Sequence, residues 1–260
     1  MPELPDVEGY RIALSGTLPG RTVRRVRVAD AGVLRNTSAR AFQRALRGEK
    51  FRTPRRHGKW LMLPTGTKTL LVHSGMTGRP YYTASATDHP ERFDRVSLEL
   101  DRGEFRYNDL RKLRGLWLAD TPESVRRIIG DCGPDALDLD TARLTELLAG
   151  RRGRLKPTLM DQSVVAGLGN LLVDEIAWQA RIAPTRLCQD LADDDMRTLG
   201  STIRRVLRTS IRHRCVPSLR TWLTGSRDDP EAPCPRCGTP LRDRRMNGRR
   251  TVWCERCQPR

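Results

Sequence analysis

Aromatic residues are scarce in this chain of 260 residues, where Phe, Trp and Tyr together make up 5%. No apolar run approaches the roughly 18 residues that a membrane span requires. The first residues are acidic and interrupted by proline, unlike a signal peptide. We therefore expect a soluble protein without a membrane segment, in the reducing cytoplasm. The sequence also lacks internal repeats and low-complexity tracts.

Lysine is scarce as well, but arginine more than compensates. Lys and Arg together number 48 against 31 Asp and Glu, giving a net charge of +17 and a pI near 10.6. Genome composition is an alternative explanation for the preference for Arg over Lys, but it does not explain the excess of basic over acidic residues. Such a surplus favours a polyanionic partner, with nucleic acid first and an anionic membrane second.

Four of the seven cysteines lie in the last 27 residues. Their spacing is Cys-x2-Cys, sixteen residues, then Cys-x2-Cys, and two such pairs of thiolates can complete a tetrahedron. The pattern predicts one structural Zn²⁺, and the alternatives are two disulfides or four incidental thiols. The predicted ligands are Cys234, Cys237, Cys254 and Cys257. We interpret the scattered Cys132, Cys188 and Cys215 as structural.

The segment between the two cysteine pairs predicts a β-hairpin, because "MNGR" is a turn signal between two short strand-like runs. Arg249 and Arg250 follow this turn. A basic hairpin held by zinc is suited to contact a DNA backbone. The alternative is a zinc clip that only stabilises a small C-terminal lobe.

The remaining pattern predicts an α+β protein with two lobes. Short strand-like runs between a helix near 6–16 and residue 120 predict an N-terminal β-sandwich. The stretches 156–167, 169–182, 193–214 and 218–225 are interpreted as helical, and a helix with an N-cap at Asp140 or Thr141 precedes them. The predicted domains are a β-sandwich over 1–130, a hinge over 131–150, a helical domain over 151–228 and a zinc hairpin over 229–260.

Six stretches then occur in a specific order along essentially the whole chain. They are "MPELPDVE", "RRHGKWL", "HSGMTG", "YNDLRKLRG", "KPTLMDQSVVAGLGN" and the cysteine hairpin. Together they resemble the formamidopyrimidine-DNA glycosylase / endonuclease VIII family of DNA repair enzymes, although no single stretch is specific. The resemblance implies a helix–two-turn–helix unit in the C-terminal lobe, DNA in a basic cleft between the lobes and an affinity that falls steeply with salt.

The resemblance gives the first residues a chemical role. Removal of Met1 would expose the secondary amine of Pro2, and α-amino groups titrate near about 7.7–8.0, so that part of the population is unprotonated at neutral pH. This amine would attack C1′ of the deoxyribose and form an iminium ion, with Glu3 as the general acid that opens the sugar ring. Taken alone, "PELP" also fits a rigid surface N-terminus.

The resemblance implies further contacts with DNA. Lys59 would contact a phosphate and assist β-elimination, and Arg249 would clamp a phosphate in the final elimination step. Asn170 would cap a helix whose free amides face a phosphate. Lys156 would be a second phosphate contact. On its own, Lys59 also fits a residue that merely flanks a strand.

Base extrusion leaves a gap in the duplex that must be filled. Met76, Arg111 and Leu113 match the family's void-filling residues, although Met76 alone would also fit a core position. Glu175 resembles a buried carboxylate near the amine, and a solvated helix glutamate is the alternative. Asp6 would be a second supporting carboxylate.

The sequence departs from the family pattern at four places. Asp6 stands where Glu is usual, Leu113 where purine-repairing members carry Phe, and Phe93 where many relatives carry His. The segment from Trp222 to Cys234 is short, whereas members specific for 8-oxoguanine carry a longer loop that closes over the base. We therefore expect oxidised pyrimidines, ring-opened purines or abasic sites to be favoured over 8-oxoguanine.

Three functions stay open at the level of sequence. The first is a bifunctional DNA glycosylase and abasic-site lyase of base excision repair that acts by β- or β,δ-elimination. The second is a damaged-DNA-binding protein that has lost catalysis, and the third is a glycosylase for a bulky or alkylated lesion. We expect a monomer that binds damaged double-stranded DNA, or single-stranded or bubble DNA, with zinc as its only cofactor.

Overall fold

The computed structural model describes residues 1–84 and 90–259. The chain forms two compact units, one made of Met1–Pro2 and Asp6–Gly130 and the other of Glu3–Pro5 and Asp131–Arg260. The domain boundaries given above stay a prediction, and Arg260, the last residue of the zinc hairpin range, lies outside the described residues. None of the described helices is both long enough and apolar enough to cross a bilayer.

The first unit contains two four-stranded antiparallel sheets, in the orders β1-β6-β7-β5 and β2-β3-β4-β8. Their strands are β1 Val23–Val28, β2 Arg55–His57, β3 Trp60–Pro64, β4 Thr69–His73, β5 Arg79–Thr83, β6 Asp94–Leu100, β7 Glu104–Asn108 and β8 Gly115–Ala119. The helices are α1 Leu4–Ser15, α2 Ala39–Leu46 and α3 Pro122–Ile129. Buried residues of both sheets share one apolar core, including Leu98 and Phe105 of the first sheet and Leu63 and Val72 of the second.

The second unit is helical and carries a two-stranded hairpin near its end. Its elements are α4 Thr141–Leu148, α5 Leu155–Met160, α6 Asn170–Ala180, α7 Asp193–His213, β9 Arg242–Met246 and β10 Arg249–Trp253. Apolar side chains of all four helices form one core. The hairpin turns at Asn247 and Gly248, which both have positive φ, as the sequence signal for a tight turn requires.

The predicted fold class is confirmed, two local expectations need correction and four elements were missed. The helix expected over 156–167 ends at Met160, because the Asp161 side chain accepts the Ser163 N–H at 2.9 Å and so competes with the helix. The helix expected over 218–225 is only a 3₁₀ turn, Leu223–Gly225. The strands β2 and β5 and the helices α2 and α3 were not predicted.

Candidate functional site

The beginning of the chain is held at the N-terminus of α6. Glu3 is 1% exposed, and its carboxylate accepts the backbone N–H groups of Leu171 at 2.8 Å and Leu172 at 3.1 Å. These amides have no partner within the helix, and the helix dipole stabilises negative charge at this end. The helix N-terminus therefore fixes both the position and the orientation of the Glu3 carboxylate.

The glycines of "GLGN" make room for this arrangement. A Cβ at Gly169 would lie 2.3 Å from Cδ of Glu3, and one at Gly167 would lie 2.5 Å from Cδ1 of Leu4. Gly167 also has a φ of +110°, and its carbonyl oxygen accepts the Leu4 N–H at 3.2 Å. The motif thus brings the start of the chain into direct contact with α6.

The role predicted for Asn170 is corrected by this geometry. The N-cap of α6 is Gly169, no side chain caps the helix, and Asn170 is the first helical residue. The amides that were expected to face a phosphate are bonded to Glu3 instead. The Asn170 Oδ1 atom is buried and accepts no hydrogen bond from the described residues.

Lys59 lies in a two-residue turn with Gly58 between β2 and β3, so it directly flanks a strand. The turn is tied to α1, because Arg56 donates to the Glu8 carboxylate at 2.9 Å and to the Gly58 carbonyl oxygen at 2.9 Å. Glu8 is buried, and burial opposes the lowering of its pKa by its arginine partners. This contact fixes Lys59 relative to α1, the helix that begins two residues after Pro2.

His73 at the end of β4 is neutral at physiological pH. Burial, together with the positive charges of Arg114 and Lys59, lowers its pKa to about 4. Its Nδ1 accepts the Gly75 N–H at 3.1 Å, one residue before Met76. A neutral imidazole therefore supports the loop that carries Met76.

The three residues predicted to fill the void are all exposed at the surface of the first unit. Met76 is 39% exposed and Leu113 is 52% exposed, which are high values for large apolar side chains. Arg111 Nη1 lies 2.9 Å from the Met76 sulfur, so these two side chains are in contact. The alternative of a core position for Met76 is excluded by its exposure.

A buried aspartate, which the sequence analysis missed, organises these loops. Asp109 is 1% exposed and accepts hydrogen bonds from Thr77 Oγ1 at 2.6 Å and from the backbone N–H groups of Arg111 and Lys112, both at 3.1 Å. The same carboxylate accepts the Tyr107 hydroxyl at 3.1 Å. Asp109 thus holds both loops, and the sequence signal for it was a carboxylate directly after a strand-like run.

The two other family departures in this unit have ordinary surroundings. Phe93 is half-buried, and the guanidinium groups of Arg92 and Arg95 lie 5.2 Å and 5.4 Å from its ring centroid. Asp6 lies in the first turn of α1 and raises the pKa of Tyr10, which burial brings to about 12.

Lys156 is not available for a phosphate, contrary to the prediction. It is 1% exposed, and its Nζ donates to Asp174 Oδ1 at 2.6 Å and to the Arg250 carbonyl oxygen at 2.8 Å. Arg227 donates to the other oxygen of Asp174 at 2.8 Å. This buried cluster joins α5 and α6 to β10, and its sequence signal was a charged residue inside the apolar run "NLLVDEIAW".

Glu175 is a buried carboxylate and not a solvated one, which excludes that alternative. It is 0% exposed, and it accepts Gln179 Nε2 at 2.7 Å and the Thr224 N–H at 2.9 Å. Burial raises its pKa to about 7 in spite of these donors. Its proximity to the Pro2 amine stays a prediction.

The two hairpin arginines have different environments. Arg249 is exposed at the first position of β10, beside the hairpin turn. Arg250 is bonded to Asp243 at 2.6 Å, to Asp228 at 2.7 Å and to the Arg227 carbonyl oxygen at 2.8 Å. Arg249 is therefore the one exposed for a phosphate, and Arg250 holds the hairpin to the preceding segment.

The four clustered cysteines fit one structural zinc ion. Their sulfur atoms all lie within 4.8 Å of one another, with Cys234 to Cys257 at 3.9 Å and Cys237 to Cys254 at 3.5 Å. Zn–S bonds of about 2.3 Å in a tetrahedron separate the sulfurs by about 3.8 Å. Trp178 Nε1 lies 3.4 Å from the Cys234 sulfur and would support this ligand.

Comparison with known proteins agrees with these features. Residues 1–116 match the formamidopyrimidine-DNA glycosylase N-terminal domain, residues 132–218 its H2TH domain, and residues 232–260 a zinc finger found in FPG and IleRS. A formamidopyrimidine-DNA glycosylase of Symbiobacterium thermophilum is 34% identical over 273 residues, covering 100% of this chain and 90% of that protein. One of Moorella thermoacetica is 35% identical over 258 residues, covering 93% of each.

Solved structures are similar over the full length of both chains. The Lactococcus lactis formamidopyrimidine-DNA glycosylase in complex with DNA containing N7-benzyl-Fapy-dG has a TM-score of 0.87, 27% identity and 100% coverage of each chain. The same protein in complex with DNA containing an abasic site has a TM-score of 0.88, 26% identity and the same coverage.

These findings place the chain in a class and then in a family. It is a DNA glycosylase of base excision repair with abasic-site lyase activity. It belongs to the formamidopyrimidine-DNA glycosylase / endonuclease VIII family, as the sequence motifs predict.

Proposed function

We propose that this glycosylase binds damaged DNA and acts through the secondary amine of Pro2 after removal of Met1. The carrying observation is the burial of Glu3 against α6. Chain termini normally fray unless contacts hold them, and a carboxylate is rarely buried without a compensating partner. The bonds to Leu171 and Leu172 therefore support a precisely placed N-terminus. Met1 is 46% exposed, which is favourable for its removal.

The proposed reaction begins with a proton transfer from the Pro2 ammonium to the Glu3 carboxylate. The free amine forms a bond to C1′, the glycosidic bond breaks, and the base leaves with the bonding electrons. The base then gains the proton that the newly substituted Pro2 nitrogen loses. Glu3 then protonates the ring oxygen as the C1′–O4′ bond breaks, which leaves an iminium ion. Loss of the C2′ proton expels the 3′-phosphate, and a further elimination expels the 5′-phosphate.

Residues of both units would bind the DNA during these steps. Lys59, on its turn, is proposed to contact a phosphate and assist β-elimination, and Arg249 to clamp a phosphate during the final elimination. Met76, Arg111 and Leu113 are proposed to enter the gap left by the extruded base. Their exposed position on loops held by Asp109 supports this role. A cytoplasmic location is part of the same proposal.

The proposed substrates are oxidised pyrimidines, ring-opened purines and abasic sites rather than 8-oxoguanine. The short segment between Trp222 and Cys234 supports this preference because it is bonded down in the second unit. Thr224 donates to Glu175 and to the Pro217 carbonyl oxygen, and Arg227 donates to Asp174.

A bulky or alkylated ring-opened purine is the second candidate substrate. A short segment leaves more space beside an extruded base than a long closing loop does. The similar Lactococcus lactis structure holds DNA with N7-benzyl-Fapy-dG, which belongs to this chemical class.

A single-turnover cleavage panel tests the substrate proposal. Matched duplexes would carry 8-oxoguanine, Fapy-guanine, its N7-benzyl form, dihydrouracil or an abasic site. We expect 8-oxoguanine to be cleaved more slowly than the others. If 8-oxoguanine is cleaved fastest, the proposed preference is wrong. If no duplex is cleaved by a protein that lacks Met1 and binds DNA, the catalytic proposal is wrong and a damage-binding role replaces it.

A further inference from the structure

A groove lined by five arginines lies in the first unit, between β1 and α2. It encloses about 620 Å³ and shares no lining residue with the proposed catalytic and void-filling positions. Val26 and Gln43 complete its wall. We call it the arginine groove and define it by Arg24, Arg25, Arg40, Arg44 and Arg47.

No carboxylate lines this groove. All five arginines are exposed, and no described residue forms an ion pair with any of them. Other arginines of the same unit do have acidic partners, such as Arg56 with Glu8 and Arg79 with Glu91. Glu99 lies opposite Arg25 in the pairing of β1 with β6, although the two form no ion pair. The groove therefore concentrates positive charge that this one carboxylate offsets only in part, and like charges at this spacing repel one another.

The arginines are held in a fixed frame. β1 is the edge strand of its sheet, and α2 lies beside it. Gln43 Nε2 donates to the Val26 carbonyl oxygen at 3.2 Å, and Phe42 and Leu46 anchor the opposite face of α2 in the core. Ser38 caps the start of the helix by accepting the Ala41 N–H. A preorganised set of guanidinium groups loses less entropy on binding than a flexible basic tail.

The spacing of the helical arginines suits a phosphodiester backbone. Arg40 and Arg44 are at positions i and i+4 on one face of α2, and Arg47 is the C-cap residue after its last turn. From Arg40 to Arg47 the row spans about 10 Å. Phosphates of one strand in duplex DNA follow one another at about 3.4 Å along the helix axis. Because the strand also winds around this axis, adjacent phosphates lie farther apart through space than about 3.4 Å, so a row of about 10 Å reaches two or three consecutive phosphates. Guanidinium groups can bind phosphates with two parallel hydrogen bonds.

We propose that the arginine groove is a second DNA-binding site, which holds the phosphate backbone of duplex DNA away from the damaged base. The inference rests on the proposed action on DNA, because it supplies contact with undamaged DNA during the search for a lesion. Such a contact carries no sequence information, and its favourable free energy comes largely from the release of counterions from the DNA.

Binding to an undamaged duplex tests this proposal separately from catalysis. The groove variants are the triple substitution R40Q/R44Q/R47Q and, as an independent second variant, R24Q/R25Q. The matched control is R126Q/R143Q/R197Q, which removes three exposed helical arginines whose partners are Glu123, Glu146 and Asp194. The first variant and the control each lose three positive charges. A difference in duplex affinity between them is therefore due to the position of the arginines and not to the net charge.

Fluorescence anisotropy would measure the affinity for an undamaged 30-base-pair duplex between 50 and 200 mM salt. In a plot of log affinity against log salt concentration, each phosphate contact contributes roughly 0.9 to the slope. We expect the first groove variant to reduce the slope by about 2 and the affinity by more than 10-fold, and the second variant to act in the same direction. The control should change the affinity less than threefold. Circular dichroism would establish that each variant is folded.

Two results would overturn the proposal. One is a groove variant that binds the undamaged duplex as the control does. The other is a groove that binds an acidic peptide instead of DNA. In that case poly-glutamate would bind the wild-type protein but not the groove variants, while the variants would keep the wild-type affinity for the duplex. A wild-type protein without cleavage activity would contradict the proposed function. The comparison of duplex affinity between groove variants and control would still test the arginine groove, because it does not depend on cleavage.

Discussion

The Glu3 carboxylate lies 2.8 Å from the backbone nitrogen of Leu171, at the first turn of α6. This contact joins the chain's third residue to the helix that follows "GLGN", 168 positions along the sequence. Glu3 directly follows the proposed nucleophile, Pro2, in the sequence. Its carboxylate is held by backbone N–H groups, which remain whatever the side chains of Leu171 and Leu172 are. Gly169 permits this close approach because it has no Cβ.

Replacing Gly169 by Ala should abolish most of the glycosylase activity. The new Cβ would lie 2.3 Å from Cδ of Glu3, so the carboxylate must move away from α6. A displacement of about 1 Å at a reacting group costs about 100-fold in rate. Single-turnover excision would be compared with that of Gly16→Ala, whose Cβ has an ordinary nearest contact at 3.7 Å. Equal rates for the two variants would show that the position of Glu3 does not matter.

Lys156 should be a stability residue and not a DNA contact. Replacing it by Met keeps most of the side-chain volume but leaves the buried Asp174 with Arg227 as its remaining cation. Breaking a buried pair in this way costs about 3 kcal/mol or more of unfolding free energy. Urea unfolding would measure this loss. The control is Arg143→Met, which removes an exposed pair with Glu146 worth about 0–1 kcal/mol.

The same variant tests the earlier assignment directly. One contrary result is a variant that keeps its stability, loses DNA affinity and shows a weaker dependence of that affinity on salt concentration. Such a result would mean that Lys156 contacts a phosphate, and that its buried contacts with Asp174 and Arg250 are absent when DNA is bound.

The pKa of Glu175 predicts a specific dependence of stability on pH. Burial raises this pKa to about 7, whereas an unfolded glutamate titrates near about 4.3. Between these values the folded state holds a proton that the unfolded state has lost, so the stability contribution of this group falls as pH rises. The total loss across the window is about 3 kcal/mol.

Glu175→Gln should remove this dependence. The unfolding free energy of the native protein relative to the variant should fall by about 3 kcal/mol between pH 4.5 and 7.5 and stay constant above that range. His73 titrates in an overlapping range in both proteins, so the difference between them isolates Glu175. A constant difference across the window would mean that Glu175 is ionised throughout.

Arg249→Ala should affect the last elimination step more than the first. Loss of a hydrogen bond to a charged phosphate costs about 1.5–3 kcal/mol, which is about 10- to 100-fold in rate. Gel separation of the β- and δ-elimination products on an abasic duplex would measure each step. The matched control is Arg245→Ala, which removes an exposed arginine from the facing strand of the same hairpin. Equal product ratios in the two variants would contradict the proposed role.

The features that the sequence predicted well are set by local spacing. Two Cys-x2-Cys pairs bring four thiolates together almost irrespective of the rest of the chain, and the Asn247–Gly248 turn needs only a backbone that tolerates positive φ. The short strand-like runs separated by turn residues likewise predicted a sandwich, because each run and its turn signal are read from neighbouring residues.

The features that it predicted poorly depend on partners from distant segments. Lys156 was interpreted as a surface residue because nothing next to it in sequence indicates that Asp174 and Arg227 will surround it. Asn170 was expected to cap a helix whose first amides are taken by Glu3, a residue from the other end of the chain. Pairing between remote residues overrides local preference at both positions.

Borohydride trapping on a duplex with one abasic site, followed by peptide mass mapping, tests the central claim most directly. Reduction would convert a transient iminium ion into a stable bond between the enzyme and C1′. We predict one adduct, on the Pro2 nitrogen of protein that lacks Met1. An adduct on another residue such as Lys59, or none from zinc-loaded protein that binds the duplex, would contradict the account.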